Sequence, residues 1–252
     1  MKNMAIVDAA VQTLERELRD VFGGRLQSLV IYGQRAHRDG HGDAHGSHAA
    51  HGHDAPPTRT LAIVEAMTPA DLRACASRVE AWHAAGLATP LLIAAHEFEQ
   101  SLDAFPLEFG AILADHTVAA GSNPFASLAV DPTDLRRACE VQARSHLLHL
   151  REGYLETRGN SGALAVLIVQ SAAAFAALVT SIARLEGQAT DDTASAARHV
   201  ERVLAMPDSA VAEVAALAGA HDITSADAER LIGTYLEAVD RIVRYVDGWS
   251  AR

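Results

Sequence analysis

Six imidazoles crowd one short stretch of this chain. His37, His41, His45, His48, His51 and His53 lie within 17 residues, interleaved with Gly40, Gly42, Gly46 and Gly52. Neutral imidazole binds Zn²⁺, Ni²⁺, Cu²⁺ and Co²⁺, and Asp39, Asp43 and Asp54 stand in the same loop to complete a coordination shell. The glycines oppose a preformed site, because ordering a flexible loop costs conformational entropy. Two readings follow: a transition-metal site for Zn²⁺ or Ni²⁺ on these six histidines, or a solvated insertion over residues 37–57 with no metal role. His146 and His149 lie three apart in a helical pattern, a spacing that suits a metal pair, but without matching acids. The isolated His83, His96, His116, His199 and His221 read as surface or capping residues. The sequence contains no nucleophile elbow, Walker-type phosphate loop or dinucleotide-binding glycine fingerprint.

The elements around the histidine loop change in kind along the chain. Ile6, Ala10, Leu14, Leu18 and Val21 recur at helical spacing, and Gly23-Gly24 stops that helix. Leu26 to Tyr32 reads as a buried strand that ends on Gly33, and Leu61 to Val64 as a second one ending near Met67. Thr68-Pro69-Ala70-Asp71 supplies an N-cap, a proline at the first helical position and an acid at the third. The helix it starts should reach about Gly86. Pro90 to Ala94 is a third strand, followed by a short helix from about His96 to Leu102. The order implies a small mixed sheet with helices packed on it. Further on, Asp131-Pro132-Thr133-Asp134 opens a helix to about Arg158, and helices follow at 161–187, 192–206 and 208–219. Thr224 with Asp227 opens a last one, striped by Leu231, Tyr235, Ile242 and Trp249. No strand signal appears after about residue 120. The fold class is therefore α+β: a small mixed-sheet domain over residues 1–122, then an all-α helical-bundle domain over 131–252. The boundary falls in Gly121-Ser122-Asn123-Pro124.

That order of elements, together with Tyr32-Gly33-Gln34-Arg35-Ala36, resembles the nucleotidyltransferase-fold family, in its kanamycin nucleotidyltransferase-like and small bacterial nucleotidyltransferase-like branches. Phe105-Pro106-Leu107-Glu108-Phe109, Asp115-His116 with Gly121, Leu135-Arg136 with Cys139-Glu140, and Leu147-Leu148 to Tyr154-Leu155 look similar to one bacterial subgroup of it. The resemblance covers roughly residues 25–158. It implies that the glycine turn lets backbone N–H groups approach a nucleotide's phosphates, which makes Gly33, Gln34 and Arg35 candidate ligand-binding residues. It also implies that the helix from Thr133 faces a cleft where Arg144 and Arg151 meet a phosphate. The alternative for that helix is a set of i,i+4 Arg–Glu pairs on a solvated face.

The resemblance breaks where chemistry is expected. Active members carry carboxylates on the second strand that hold two Mg²⁺ ions, and a third carboxylate comes from the next strand. Here Gln34 replaces the serine of the turn, and the second strand begins Thr58-Arg59-Thr60-Leu61-Ala62. The strand Leu91 to Ala95 has no acid, and Glu65 and Glu108 read as surface or cap carboxylates. The expectation is a catalytically degenerate member that acts as a nucleotide or small-phosphate binding or regulatory protein. Two alternatives stay open: an active, Mg²⁺-dependent nucleotidyltransferase adding a nucleoside monophosphate to a small molecule or protein, and a metal-binding protein acting through the histidine loop.

Composition narrows the partners. The 252 residues are 49% apolar and 21% charged, a globular balance. Acids outnumber bases 32 to 21, for a net charge of −11. Nucleic-acid binding requires basic residues to displace counterions from phosphates, so a nucleotide or other small molecule is the expected ligand and nucleic acid is not. Cys75 and Cys139 show no metal or disulfide spacing, and the N-terminus has no long apolar core. Both fit a cytoplasmic protein. Residues 160–183 carry no charge, which is long enough to span a bilayer but also what the centre of a helical domain needs. With no basic flank or second span, no membrane role is expected. The same segment and the C-terminal stripe leave two outcomes, a homodimer through the helical domain or a monomer with a filled core.

Overall fold

The computed structural model describes residues 2–33, 57–188, 192–206 and 209–250. Backbone contacts divide the chain into two compact units, residues 1–104 with 111–129, and residues 105–110 with 130–252.

The first unit opens with α1 (Lys2–Phe22), which a 3-10 turn at Gly23–Arg25 joins to β1 (Leu26–Tyr32). Then come β2 (Arg59–Val64), α2 (Pro69–Ala76), α3 (Val79–Ala84), β3 (Leu91–Ala94), α4 (Ala95–Ala104), α5 (Pro106–Ala114), whose residues through Gly110 belong to the second unit, and β4 (His116–Gly121). The sheet order is β3-β2-β1-β4. β1 lies antiparallel to both β2 and β4, and β2 runs parallel to β3. Val11, Leu14, Leu18 and Phe22 form the buried stripe of α1, at the three- and four-residue steps of one helix face. They pack with Leu26, Leu29, Ala62, Val64, Cys75, Trp82 and Leu87. The Trp82 indole N–H reaches back to Glu17 at 2.6 Å.

Three details differ from the sequence expectation. The helix begun at Thr68 has the capping box foreseen, with Thr68 and Asp71 bonded reciprocally. It stops at Ser77 instead of running to Gly86. The Ala74 carbonyl there accepts from the Ser77 hydroxyl and the Arg78 guanidinium, while the Arg78 backbone N–H turns to Cys75. Side chains thus take over the bond that would have continued the helix. Second, residues 106–114 form α5, which no periodicity signalled. Third, β4 is an added edge strand. Its sequence, His-Thr-Val-Ala-Ala-Gly, holds one strong strand former, and its identity comes from pairing with β1 rather than from propensity.

Register decides which side chains share a face. Tyr32 stands opposite Arg59 on β2 and opposite His116 on β4, while Ile31 stands opposite Thr60 and Thr117. Strand side chains alternate, so Thr60 points with Leu29, Ile31 and Ala62 toward the α1 core. Arg59, Tyr32 and His116 form a row on the other face. The Thr60 hydroxyl is sealed in the core without a hydrogen-bond partner, a cost that a matching apolar side chain removes. Thr60→Val is therefore expected to raise the unfolding free energy by about 1 kcal/mol, read by urea denaturation.

The second unit is helical: α6 (Pro132–Glu156), α7 (Ser161–Leu185), α8 (Thr193–Val203), α9 (Ala210–Ala216) and α10 (Ser225–Gly248). Side chains of Asp131, Asn160, Asp192 and Thr224 cap the starts of α6, α7, α8 and α10. α7 is central, packing on α6, α8, α9 and α10. Its Ile168, Phe175, Val179 and Ile182 are buried in the bundle core. That central place accounts for its lack of charge, although by length and composition it could also cross a membrane. From α10, Leu231, Tyr235 and Ile242 enter the core. Trp249 lies just past the helix end, half-buried, and its indole donates to Glu186.

Candidate functional site

One end of the sheet brings together three groups that sequence reasoning did not join. Strand β1 ends at Tyr32, and Gly33 turns with φ of +70°, a left-handed conformation that favours glycine. The Arg59 guanidinium lies over the Tyr32 ring, 5.2 Å from its centroid. It also packs directly on Gly33: a Cβ there would stand 2.2 Å from Nη2 of Arg59. The φ is what requires glycine; a side chain there would also displace the guanidinium from its seat. On the other side of Tyr32, the His116 ring packs against Phe125 with centroids 4.7 Å apart. Nδ1 of His116 is 3.1 Å from the Leu113 carbonyl. A carbonyl only accepts, so Nδ1 carries a proton.

Arg59 is exposed, and no carboxylate among the described residues pairs with it. A guanidinium held over an aromatic ring retains its planar fork of donors for an anion. Gly33 itself does not offer its backbone donor, because its N–H bonds the Asp115 carbonyl at 3.1 Å. Of the turn residues expected to meet phosphate, Gly33 therefore shapes the site without donating to it. Gln34 and Arg35 lie outside the described residues, as do His37, His41, His45, His48, His51 and His53 with their neighbouring aspartates. Thr58 and Thr60, read as the replacements for metal-binding acids, are buried. Thr60 faces the α1 core, so the residue that β2 presents beside the turn is Arg59. Sequence alternation along β2 held this signal, but without the register of Arg59 against Tyr32 it had no anchor.

The two arginines of the helical unit are engaged within that unit. Arg144 donates to Glu140 at 3.1 Å and to Asp247 on α10 at 2.5 Å. Arg151 donates to Asp240 on α10 at 3.3 Å. Arg136 adds a bond to Glu140 and one to the Val246 carbonyl. The i,i+4 pairs expected on this helix are present, and the same arginines also tie α6 to α10. Cys75 and Cys139 are both free and buried. Burial pushes the Cys139 thiol up to about 12, which leaves it unreactive.

The whole arrangement has a counterpart among solved structures. The chain is similar to the crystal structure of spectinomycin adenyltransferase AAD(9) from Enterococcus faecialis with ATP and spectinomycin, with a TM-score of 0.55. The match is 9% identical and covers 94% of this chain and 99% of that one. The fold is nucleotidyltransferase-like. No family model matches the sequence, and no curated protein does. The likeness therefore rests on architecture, an N-terminal sheet unit and a C-terminal helical unit, and fixes the α+β class.

Nucleotidyltransferase chemistry on this fold uses divalent metal, and the residues at the Gly33 end of the sheet can be tested against it. Mg²⁺ takes oxygen ligands, chiefly carboxylates and waters. The row here consists of a guanidinium, a phenol and an imidazole. Among the described residues no group of three or more His, Cys, Asp or Glu side chains is placed to hold a metal ion. These side chains do not fit Mg²⁺. They fit an anion.

Proposed function

We propose that this nucleotidyltransferase-like chain binds a nucleotide or another small phosphate-bearing ligand at the Gly33 end of its sheet, without transferring a nucleotidyl group. The observation that carries the reading is the Arg59 guanidinium, set over the Tyr32 ring, seated against Gly33 and paired with no carboxylate among the described residues. A fixed cation next to a tight glycine turn neutralises phosphate charge directly, the task that carboxylate-held metal ions perform in a transferase. Each 1.36 kcal/mol of lost transition-state stabilisation slows a step about tenfold, and a metal clamp supplies several kcal/mol. Its replacement by an arginine supports binding without turnover. A regulatory role follows from such binding, with the ligand's occupancy as the signal.

Incubation with ATP, GTP, CTP and UTP in Mg²⁺ tests the absence of turnover. The expected result is pyrophosphate release at the buffer rate for all four. Enzyme-dependent release from any of them would establish the second reading, an active transferase. That reading draws on the neighbour's own description as an adenyltransferase with ATP and spectinomycin, and it requires acids from residues 34–56 to reach the sheet end. The third reading, a Zn²⁺ or Ni²⁺ site on the loop histidines, is tested by metal titration of the chain with and without residues 37–54.

A further inference from the structure

The helical unit contains a second polar constellation, remote in kind from anion binding. His146 on α6, Tyr235 on α10 and Ser171 on α7 form a hydrogen-bonded chain: His146 Nε2 lies 2.7 Å from the Tyr235 hydroxyl, which lies 3.1 Å from Ser171 Oγ. Ser171 in turn donates to the Ile168 carbonyl at 3.0 Å. The end of the chain fixes its direction. A backbone carbonyl only accepts, so the Ser171 proton goes there, and the Tyr235 proton goes to Ser171. The Tyr235 oxygen then accepts from His146, which must carry its proton on Nε2. Nδ1 is left with a lone pair and no protein partner, and it is not sealed from solvent. Three aromatic rings hold this geometry: His146 stacks on Phe175 at 5.6 Å, and Phe175 meets Tyr235 edge-on at 4.9 Å.

His146 also lines a cavity of about 460 Å³ between α6 and α7, within the size range of small-molecule sites. Val141, Leu150, Leu167 and Ala174 give it apolar walls, and Gln142, Ser145, His149 and Gln170 also line it. No Lys, Arg, Asp or Glu side chain lines it, since Arg144 and Arg151 turn toward α10. An apolar cavity with a few convergent polar groups is the usual form of a ligand site.

We infer that the α6–α7 cavity is a binding site for an uncharged, ring-containing small molecule whose N–H or O–H donates to Nδ1 of His146. Burial holds the imidazole neutral, with its pKa pushed down to about 4, so Nδ1 stays an acceptor at physiological pH. The amides of Gln142 and Gln170 add donors and acceptors for groups at the ring's edge. This site is independent of the phosphate site in the sheet unit, and either holds if the other fails.

Indole and 1-methylindole form the test pair, because they share a ring system and differ in the N–H donor. Titrations of the full chain are followed through the His146 ring nitrogens by NMR. Indole is expected to bind saturably and to shift the Nδ1 resonance, with 1-methylindole weaker by roughly tenfold, the effect of leaving a buried acceptor unpaired. Ala174→Trp, at an exposed position on the cavity wall, is expected to fill the site and abolish the shift without lowering the melting temperature. His146→Gln keeps a donor for Tyr235 while removing Nδ1, and is expected to reduce the preference for indole over its methyl derivative. Absence of saturable indole binding, equal affinity for the two compounds, or binding undiminished in a folded Ala174→Trp chain would each overturn the assignment.

Discussion

Replacing Arg59 with alanine is expected to weaken ATP binding by about 10- to 100-fold, the effect of losing charge-assisted hydrogen bonds to phosphate. The melting temperature should hardly move, because Arg59 is exposed and ion-paired to nothing among the described residues. What it touches is the Tyr32 ring and the Gly33 backbone. Arg59→Lys preserves the charge but loses the planar fork and most of the stacking. Its affinity should fall between wild type and alanine. Calorimetric titration with ATP checks all three proteins, and full ATP affinity in Arg59→Ala would remove the cation from the account.

Stability should fall steeply on mild acidification, because of one histidine. The surroundings of His146 strip it of water, and the nearby His149 adds a smaller effect, so that its pKa lies at about 4 against 6.5 for an exposed imidazole. The folded value lies below the unfolded one. Between those pH values the unfolded chain binds the extra proton, so the contribution is intact above about 6.5 and lost as pH falls toward 4. The two values imply a loss on the order of 3 kcal/mol, most of it by pH 4.5. His146→Gln does not titrate and should lose correspondingly less stability between pH 7 and 4.5. Denaturant melts of the two proteins measure the difference, and an NMR titration of the ring gives the midpoint directly. A His146 midpoint near 6.5 would contradict the burial and the hydrogen-bond chain together.

The architecture was largely legible in the sequence because its signals are local. Thr68, Asp131 and Thr224 announce helices through capping chemistry that involves only the next three residues. Leu26 to Tyr32 is apolar enough to be a buried strand wherever it lies. The exceptions depended on distant partners. β4 is a strand because β1 accepts it in register, and its own residues say little. The break after Ala76 turns on two side chains competing for one carbonyl. The candidate site was less legible for the same reason. Reading Thr58 and Thr60 as the altered metal positions was reasonable from the motif, but register turns Thr60 inward and brings Arg59 beside the glycine turn. Gly33 was identified correctly as a special backbone position, yet its N–H is spent on Asp115 within the fold. His146 looked like half of a metal pair by spacing along α6; its partner is Tyr235, 89 positions away on α10, which in turn donates to Ser171 on α7, 64 positions from the tyrosine.

The most direct measurement is the ATP dissociation constant with Mg²⁺ and with EDTA, in wild type and Arg59→Ala. If a guanidinium does the work of the metal clamp, ATP binds in EDTA at least as well as in Mg²⁺, and the arginine substitution weakens both. Binding that appears only with Mg²⁺, and that Arg59→Ala leaves intact, would show that the phosphates are held by a metal after all.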